Sequence, residues 1–294
     1  MHWAAIGAAH LDRIARAEGA VRLGSSNPAT VAASPGGVAR NVAETLARLG
    51  SPVRLVSRLG DDEAGRSVLA ATKTAGVDIS GAGIVAGAPT AGYTALLDPA
   101  GRLVVAFADM AIYDGFDGAA AAAAASGTSH WFVDANLPKP ALALLAARKP
   151  AGVVFAADAV SVAKSERLVP ILPAIDLLFV NRDEARALTG LDDASEAATS
   201  LRQTGVGAVV LTLGAGGALV MDAGGSLALP AAPAEIRDVT GAGDALIGAT
   251  LNGLRGGAPL STAVRRGLVA AALTLGYEGA VRPDLRDVLA AADR

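Results

Sequence analysis

The sequence predicts an α/β protein: a mostly parallel central sheet with helices on both faces, and a small β subdomain set apart from it. Three observations carry this. From residue 130 onward, short apolar runs alternate with segments of helical spacing, the pattern of strands buried on both faces by crossover helices. Hydrophobic residues make up 52% of the 294 residues, enough for one large core. A hairpin signal near residue 100 breaks the alternation and belongs elsewhere. We read residues 1–294 as one domain, with a subdomain formed by about 13–34 and 85–110.

Trp3–Ala8 is a short apolar run, expected to be the first strand. Over Gly36–Leu49, Val38, Val42, Leu46 and Leu49 fall at helical spacing, and Gly50 terminates the helix. Val53–Ser57 follows as a strand and Glu63–Ala75 as a helix. Tyr93–Leu97 and Leu103–Phe107 flank Asp98-Pro-Ala-Gly101, a hairpin within 80–110. The alanine run 119–125 is expected to be a surface helix, because alanine is the best helix former. Then come a strand at Trp131–Asp134, a helix at Pro140–Ala147, and strands at Val153–Ala157 and Leu177–Val180. Asp183–Leu188 opens a helix. Ala208–Leu213 is a strand, Ala218–Asp222 and Ser226–Leu229 a hairpin, and Thr240–Arg255 and Leu260–Leu275 long helices.

Composition excludes several functions. The formal net charge is −3, whereas nucleic-acid binders carry a basic face. There is no cysteine, so disulfides and thiolate metal sites are out. His2, His10 and His130 are too scattered for a zinc site. The N-terminus lacks a basic region and Asp12 interrupts its apolar run, so no signal peptide is expected. No apolar run approaches the roughly 20 residues that span a bilayer. A soluble, cytoplasmic protein is expected, with a small molecule as its partner, and neither nucleic acid nor membrane.

Five places hold residues suited to chemistry. In Asp238-Val-Thr-Gly-Ala-Gly-Asp244, glycines and a carboxylate stand where a loop becomes a helix. Such a start offers unpaired N–H groups and the positive end of the dipole, and can hold a phosphate. Asp244 beside it reads as a base, with an ordinary carboxyl pKa of about 3.9 and hence charged at neutral pH. It reads equally as a helix-start aspartate. Gly36 and Gly37 precede a helix that carries Asn41, whose amide both donates and accepts and so suits a sugar hydroxyl; a structural turn is the alternative. Asn181 and Glu184 are spaced for Mg²⁺ through water, or for a capping box. Asp12 just past the first strand could grip two neighbouring hydroxyls, or end a turn. Thr212-Leu-Gly-Ala-Gly-Gly217 could cradle a nucleotide, or link a strand to a hairpin.

Taken together and in this order, these motifs resemble the ribokinase-like (PfkB) family of carbohydrate and nucleoside kinases. The resemblance covers nearly the whole chain. Pro35–Gly50 is similar to the family's first signature, Asp238–Ala249 to its second, and Asn181-x-x-Glu184 to its magnesium-linked motif. It implies that Asp244 is the catalytic base, and that Gly241, Ala242 and Gly243 form an anion hole for the transferred phosphoryl. Asp12, Gly36, Gly37 and Asn41 would hold the sugar. Asn181 and Glu184 would organise Mg²⁺ and its waters, and Thr212, Gly214 and Gly217 would lie at the ATP site, with Asn181, Gly241 and Gly243. The small subdomain would be a lid that pairs two subunits into a homodimer. Asp238 and Thr240 match the monovalent-cation positions of many relatives, which leaves K⁺ open.

Within the family the nearest likeness is to pseudouridine kinases. It rests on Ser26-Asn27-Pro28, Pro35-Gly-Gly-Val-Ala-Arg-Asn41, Leu96-Leu97-Asp98, Ala108-Asp109-Met110, Asp134-Ala-Asn136, and Asp158-Ala-Val-Ser161 with Lys164. This likeness implies that Asn27 reads the uracil edge, Asn136 contacts the sugar, and Lys164 points toward phosphate or substrate. The implied reaction is ATP-dependent phosphorylation of the 5′-hydroxyl of pseudouridine. Alternatives are a kinase for ribose, fructose or another nucleoside, and a non-catalytic sugar-binding regulator. Two positions depart from the family. His10 replaces a frequent Asn, and Ala159 replaces a frequent proline, a change expected to alter only loop stiffness. A dinucleotide oxidoreductase would want G-x-G-x-x-G after the first strand; residues 7–12 read Gly-Ala-Ala-His-Leu-Asp.

Overall fold

A computed structural model describes residues 2–292. The chain opens with β1 (Trp3–Ile6), fully buried, which explains its uninterrupted apolar sequence. β2 (His10–Ala17) and β3 (Ala29–Gly36) form an antiparallel ribbon. α1 (Val38–Arg48) returns to the core and buries Ala39, Val42, Ala43 and Leu46. β4 (Val53–Gly60), α2 (Glu63–Thr74) and β5 (Asp78–Val85) follow, then the β6 (Gly92–Leu97) and β7 (Leu103–Asp109) hairpin.

The alternating half begins with α3 (Gly118–Ala124), β8 (His130–Asp134), α4 (Lys139–Arg148) and β9 (Val154–Asp158). A short α5 (Val162–Ser165) runs into a 3₁₀ segment, Glu166–Ala174, which contains Pro170 and Pro173. β10 (Leu177–Asn181), α6 (Arg182–Thr189), α7 (Ala194–Gln203) and β11 (Val209–Thr212) continue the pattern. The β12 (Ala218–Asp222) and β13 (Gly225–Leu229) hairpin leads to α8 (Ala242–Arg255), α9 (Leu260–Leu275) and α10 (Leu285–Ala292).

The strands form two sheets. The nine-stranded sheet has the order β13-β12-β11-β10-β9-β8-β1-β4-β5, with parallel pairings except for the antiparallel ones that β12 makes with β11 and β13. One core lies on each face, one around Trp131, Phe155 and Leu142, the other around Trp3, Phe132 and Phe179. The second sheet has four strands in the order β3-β2-β6-β7. This is the α/β architecture expected from sequence, a mostly parallel sheet with a small separate β-sheet.

The structure corrects some local expectations. Residues 78–85 do not join the hairpin within 80–110: β5 runs parallel to β4 as the edge of the large sheet. Asp12 lies inside a strand, β2, rather than in a turn after the first. The alanine helix is not simply a surface helix. Ala121 and Ala125 are buried, and Gly118 is so close to Ala141 of α4 that a Cβ would overlap its carbonyl. The first-signature helix begins at Val38 because Gly36 still belongs to β3.

Candidate active site

The parallel strands β1, β8, β9, β10 and β11 end along one edge of the sheet, and most of the sequence-singled residues collect there. At the centre is Asp134, the last residue of β8 and fully buried. Its Oδ2 accepts from the N–H groups of Ala8 and Ala39, both at 2.9 Å, and its Oδ1 from Asn136 N–H at 2.9 Å. One carboxylate thus ties the end of β1 to the start of α1. Burial pushes its pKa up against those three donors. Sequence reasoning treated Asp134 only as part of a short likeness. A buried acid at a strand end, before a turn, was the available signal.

Gly37 makes the junction possible. Its φ is 102°, and a Cβ there would overlap the Ala8 carbonyl, so only glycine fits. Gly36 lies against the Asp12 carboxylate with no room for a side chain. His10 Nε2 sits 3.0 Å from Asp12 Oδ1, so the histidine that departs from the family holds the acid expected to grip the sugar.

Asp244 lies in the first turn of α8, directly after Gly241, Ala242 and Gly243. Gly241 is the N-cap, with φ 75°, and a Cβ on it would overlap the Ala280 carbonyl. No side chain caps this helix, so its first N–H groups remain available to an anion. Gly243 is exposed, and a Cβ on it would meet nothing within 4 Å. Asp244 Oδ2 accepts from Asn41 Nδ2 at 2.7 Å. Burial pushes Asp244 up to about 7; the Asn41 bond, Arg40 and His10 work against this, and Asp134 adds to it. This corrects the expectation of an ordinary carboxylate near 3.9: the group is poised near neutrality, where a general base works best.

A cavity of about 180 Å³ opens beside Asp244. Asp158, Asn181, Glu184, Thr212 and Gly243 line it with Asp244. Asn181 and Glu184 form the full capping box. Glu184 Oε2 accepts from Asn181 N–H (2.9 Å), its Oε1 from Asn181 Nδ2 (2.8 Å), and Asn181 Oδ1 accepts from Glu184 N–H (2.9 Å). Glu184 is nevertheless buried, and burial pushes its pKa up. Asp158 was missed as a site residue. Its pKa is raised well above normal, first by burial, then by the charges of Glu184, Asp244 and Asp134. Such crowded carboxylates favour a cation among them. Among the described residues, no three His, Cys, Asp or Glu side chains converge on one metal position. Asp158, Glu184 and Asn181 offer oxygen atoms of the kind that a divalent cation such as Mg²⁺ takes up through water and substrate phosphates.

Val160 also lines this cavity, at φ 67°, and is the one described non-glycine residue with positive φ. That conformation is strained for a β-branched residue. Asp158 Oδ2 holds it by accepting from Val160 N–H at 2.9 Å. The preceding Ala159 N–H donates to Phe179 O at 3.2 Å. The loss of proline at 159 therefore adds a link between β9 and β10, beyond the change in stiffness expected from sequence.

The remaining residues divide. Lys164 Nζ donates to Asn136 Oδ1 at 2.6 Å, which places both beside Asp134; burial lowers the lysine's pKa. Thr212 ends β11, opposite Asn181. Gly214 is open to solvent, whereas Gly217 is packed against the Leu229 carbonyl and serves the hairpin. Asp238 accepts from Thr240 N–H (2.9 Å) and Gly279 N–H (3.1 Å), so its side chain fixes the loop before α8. Asn27 lies in the connection between β2 and β3. Its amide closes its own loop, accepting from Arg22 N–H (2.8 Å) and donating to the Arg22 and Ser25 carbonyls, each at 3.0 Å.

The model of the pfkB family carbohydrate kinases matches residues 2–286. The pseudouridine kinase of Escherichia coli K12 is 32% identical over 289 residues, covering 95% of this chain and 92% of its own. A carbohydrate kinase from Agrobacterium tumefaciens superposes with a TM-score of 0.87 at 34% identity, over 99% of this chain and 96% of that one. Arabidopsis thaliana ribokinase, solved with ribose and ATP, gives 0.88 at 23% identity over 98% of each chain, a likeness of fold. The chain belongs to the pfkB family of carbohydrate kinases, phosphotransferases with an alcohol group as acceptor.

Proposed function

We propose that this protein is an ATP- and Mg²⁺-dependent kinase that phosphorylates the 5′-hydroxyl of pseudouridine. The observation that carries the kinase reading is Asp244, bonded to Asn41 and set at the uncapped start of α8. The pseudouridine reading rests on the 32% identity to a pseudouridine kinase across nearly the whole chain. Asn136 and Lys164, joined above Asp134, support it as substrate contacts.

In the proposed reaction Asp244 takes the proton from O5′ as that oxygen bonds to the γ-phosphorus of ATP. The bond from that phosphorus to the bridging oxygen breaks, and ADP leaves. The N–H groups of Gly241, Ala242 and Gly243 receive the charge on the moving phosphoryl. Asp12, Gly36 and Gly37 seat the sugar. Thr212 and Gly214 border the nucleotide. Mg²⁺, when bound through the waters of Asn181, Glu184 and Asp158, supplies charge neutralisation. Asp238 and Thr240 mark where backbone groups would hold K⁺. The small sheet closes over the sugar, excludes water, and pairs two subunits. The cytoplasm is the compartment that supplies ATP.

A substrate panel with ATP and Mg²⁺, with and without K⁺, tests this. Pseudouridine 5′-phosphate is the expected product. Equal or greater turnover of ribose, fructose, uridine or adenosine would replace pseudouridine with that acceptor and leave the kinase intact. Binding without turnover across the panel would favour a sugar-binding regulator.

A further inference from the structure

The bond from Asn41 to Asp244 is one end of a longer chain. Arg40, 4% exposed, donates through Nη1 to Asn41 Oδ1 at 2.8 Å and to the Pro35 carbonyl at 3.2 Å. Its Nη2 is paired with Glu44 one turn along α1, and Glu44 is braced from the other side by Arg48 at 2.7 Å. A guanidinium has donors and no acceptor. The oxygen of the Asn41 amide must therefore face Arg40, and its NH₂ must face Asp244. Asn41 can only donate to Asp244, and a carboxylate that only accepts is favoured in its ionised form.

We infer that Arg40, held by Glu44, is a positioning residue that fixes the Asn41 amide and thereby keeps Asp244 ready to take a proton. The inference rests on the reading of Asp244 as the base. It alters the role of Asn41 toward substrate. With one N–H given to Asp244, Asn41 has a second N–H with which it can donate to a substrate hydroxyl. Neither Arg40 nor Glu44 lines the cavity; Glu44 acts through Arg40, and Arg40 acts through Asn41 and through its own charge.

The groups facing Asp244 set the background for a titration: Asn41 and Arg40 from α1, His10 from β2, Asp134 from β8 and Asp158 from β9. Arg40→Gln leaves the others in place, removes the charge, and lets the Asn41 amide turn over. Arg40→Lys keeps a charged group that only donates. The Asp244 carboxyl is followed by carbon NMR of protein labelled at aspartate side chains, its resonance identified by its absence in Asp244→Asn. The midpoint is expected to rise by about half a pH unit or more in Arg40→Gln, about a threefold loss of ionised form at fixed pH. In Arg40→Lys it stays near the wild-type value. An unmoved midpoint in Arg40→Gln overturns the inference, and so does an equal rise in Arg40→Lys. Should Arg40→Gln fail to fold, the wild-type side-chain NH₂ of Asn41 decides: it must shift with the Asp244 titration, and an NH₂ signal indifferent to it overturns the inference. Retained turnover in Asp244→Asn is a separate failure, that of Asp244 as the base.

Discussion

Asp244 shows why a residue's neighbours, rather than its type, decide its chemistry. An aspartate at a helix start is ordinarily a strong acid, favoured there as an anion. Here burial beside Asp134 outweighs the dipole and the Asn41 bond and brings the group up to about 7. The acidic limb of kcat/KM is therefore expected near pH 7, falling about tenfold per unit below it. Asp244→Asn is expected to lose roughly 10²–10⁴ in kcat, and unchanged turnover would remove its role. The same shift acts on stability. The folded form holds a proton that the unfolded form releases between about pH 4 and 7, so the carboxyl makes the protein less stable as pH rises through that window. The unliganded Asn variant should melt at or above wild type at pH 8, with the gap closing toward pH 4. A gap of opposite sign would contradict the raised pKa. Asp244, Asn41 and the glycines were legible in sequence because their types and spacing suffice to name them. Asp158 and the relay through Arg40 were not, since each gains its meaning from partners far along the chain or from burial. Ala159 is similar: proline there would remove the N–H that bonds Phe179, and Ala159→Pro is expected to cost roughly 1–3 kcal/mol, read as a lower melting temperature.

At the scale of the element, the start of α8 separates architecture from function. Gly241 and Gly243 read alike in sequence, yet the structure gives them different surroundings. Gly241 has positive φ and abuts Ala280, so alanine there must displace the loop before α10. Gly243 has ordinary φ and open space, and alanine is the better helix former by about 0.5–1 kcal/mol. Gly243→Ala is expected to preserve or raise the melting temperature while a methyl in the anion position lowers kcat; Gly241→Ala should lower the melting temperature. Undiminished turnover in Gly243→Ala would argue against the anion hole. The capping box at the start of α6 is a parallel case, where two residues with a structural duty also face the cavity. Asn181 and Glu184 cap the helix, and still line the cavity. Elements with strong apolar periods were readable: Leu260–Leu275 begins and ends where expected. α7 was not, because Ala194–Gln203 carries one large apolar residue, Leu201, and small alanines give a weak period. β5 was misplaced because its Gly81 and Gly83 suggest a turn, while the parallel pairing with β4 that makes it a strand is set by tertiary contact.

For the whole molecule, the two sheets divide the labour, and the register of the smaller one determines which side meets the site. Side chains paired across strands share a face, and faces alternate along each strand. Asp12 pairs with Tyr93 and Ser34, and Ile14 with Ala95 and Ala32. This face carries Asp12 and the buried Ala95, and under the proposed function it is the one that meets the substrate. The opposite face takes Ala15 with Val31 and Leu96, then Leu96 with Val105, and Thr94 with Phe107. It exposes Val31 at 62% and Phe107 at 67%. An apolar sheet face left in water in this way favours a partner, and a second copy supplies a matching face by symmetry. A lid that also forms the subunit contact would stiffen the sheet that must close over the sugar. We therefore expect sedimentation velocity to give a dimer at micromolar concentration, and Phe107→Asp to shift it toward monomer. Phe107 touches no site residue in its register, so the monomer should keep the Asp244 titration while binding the acceptor more weakly, as a higher KM. A wild-type protein that sediments as a monomer at every concentration would separate the lid from any role in assembly, and would leave Val31 and Phe107 as an apolar face without a partner.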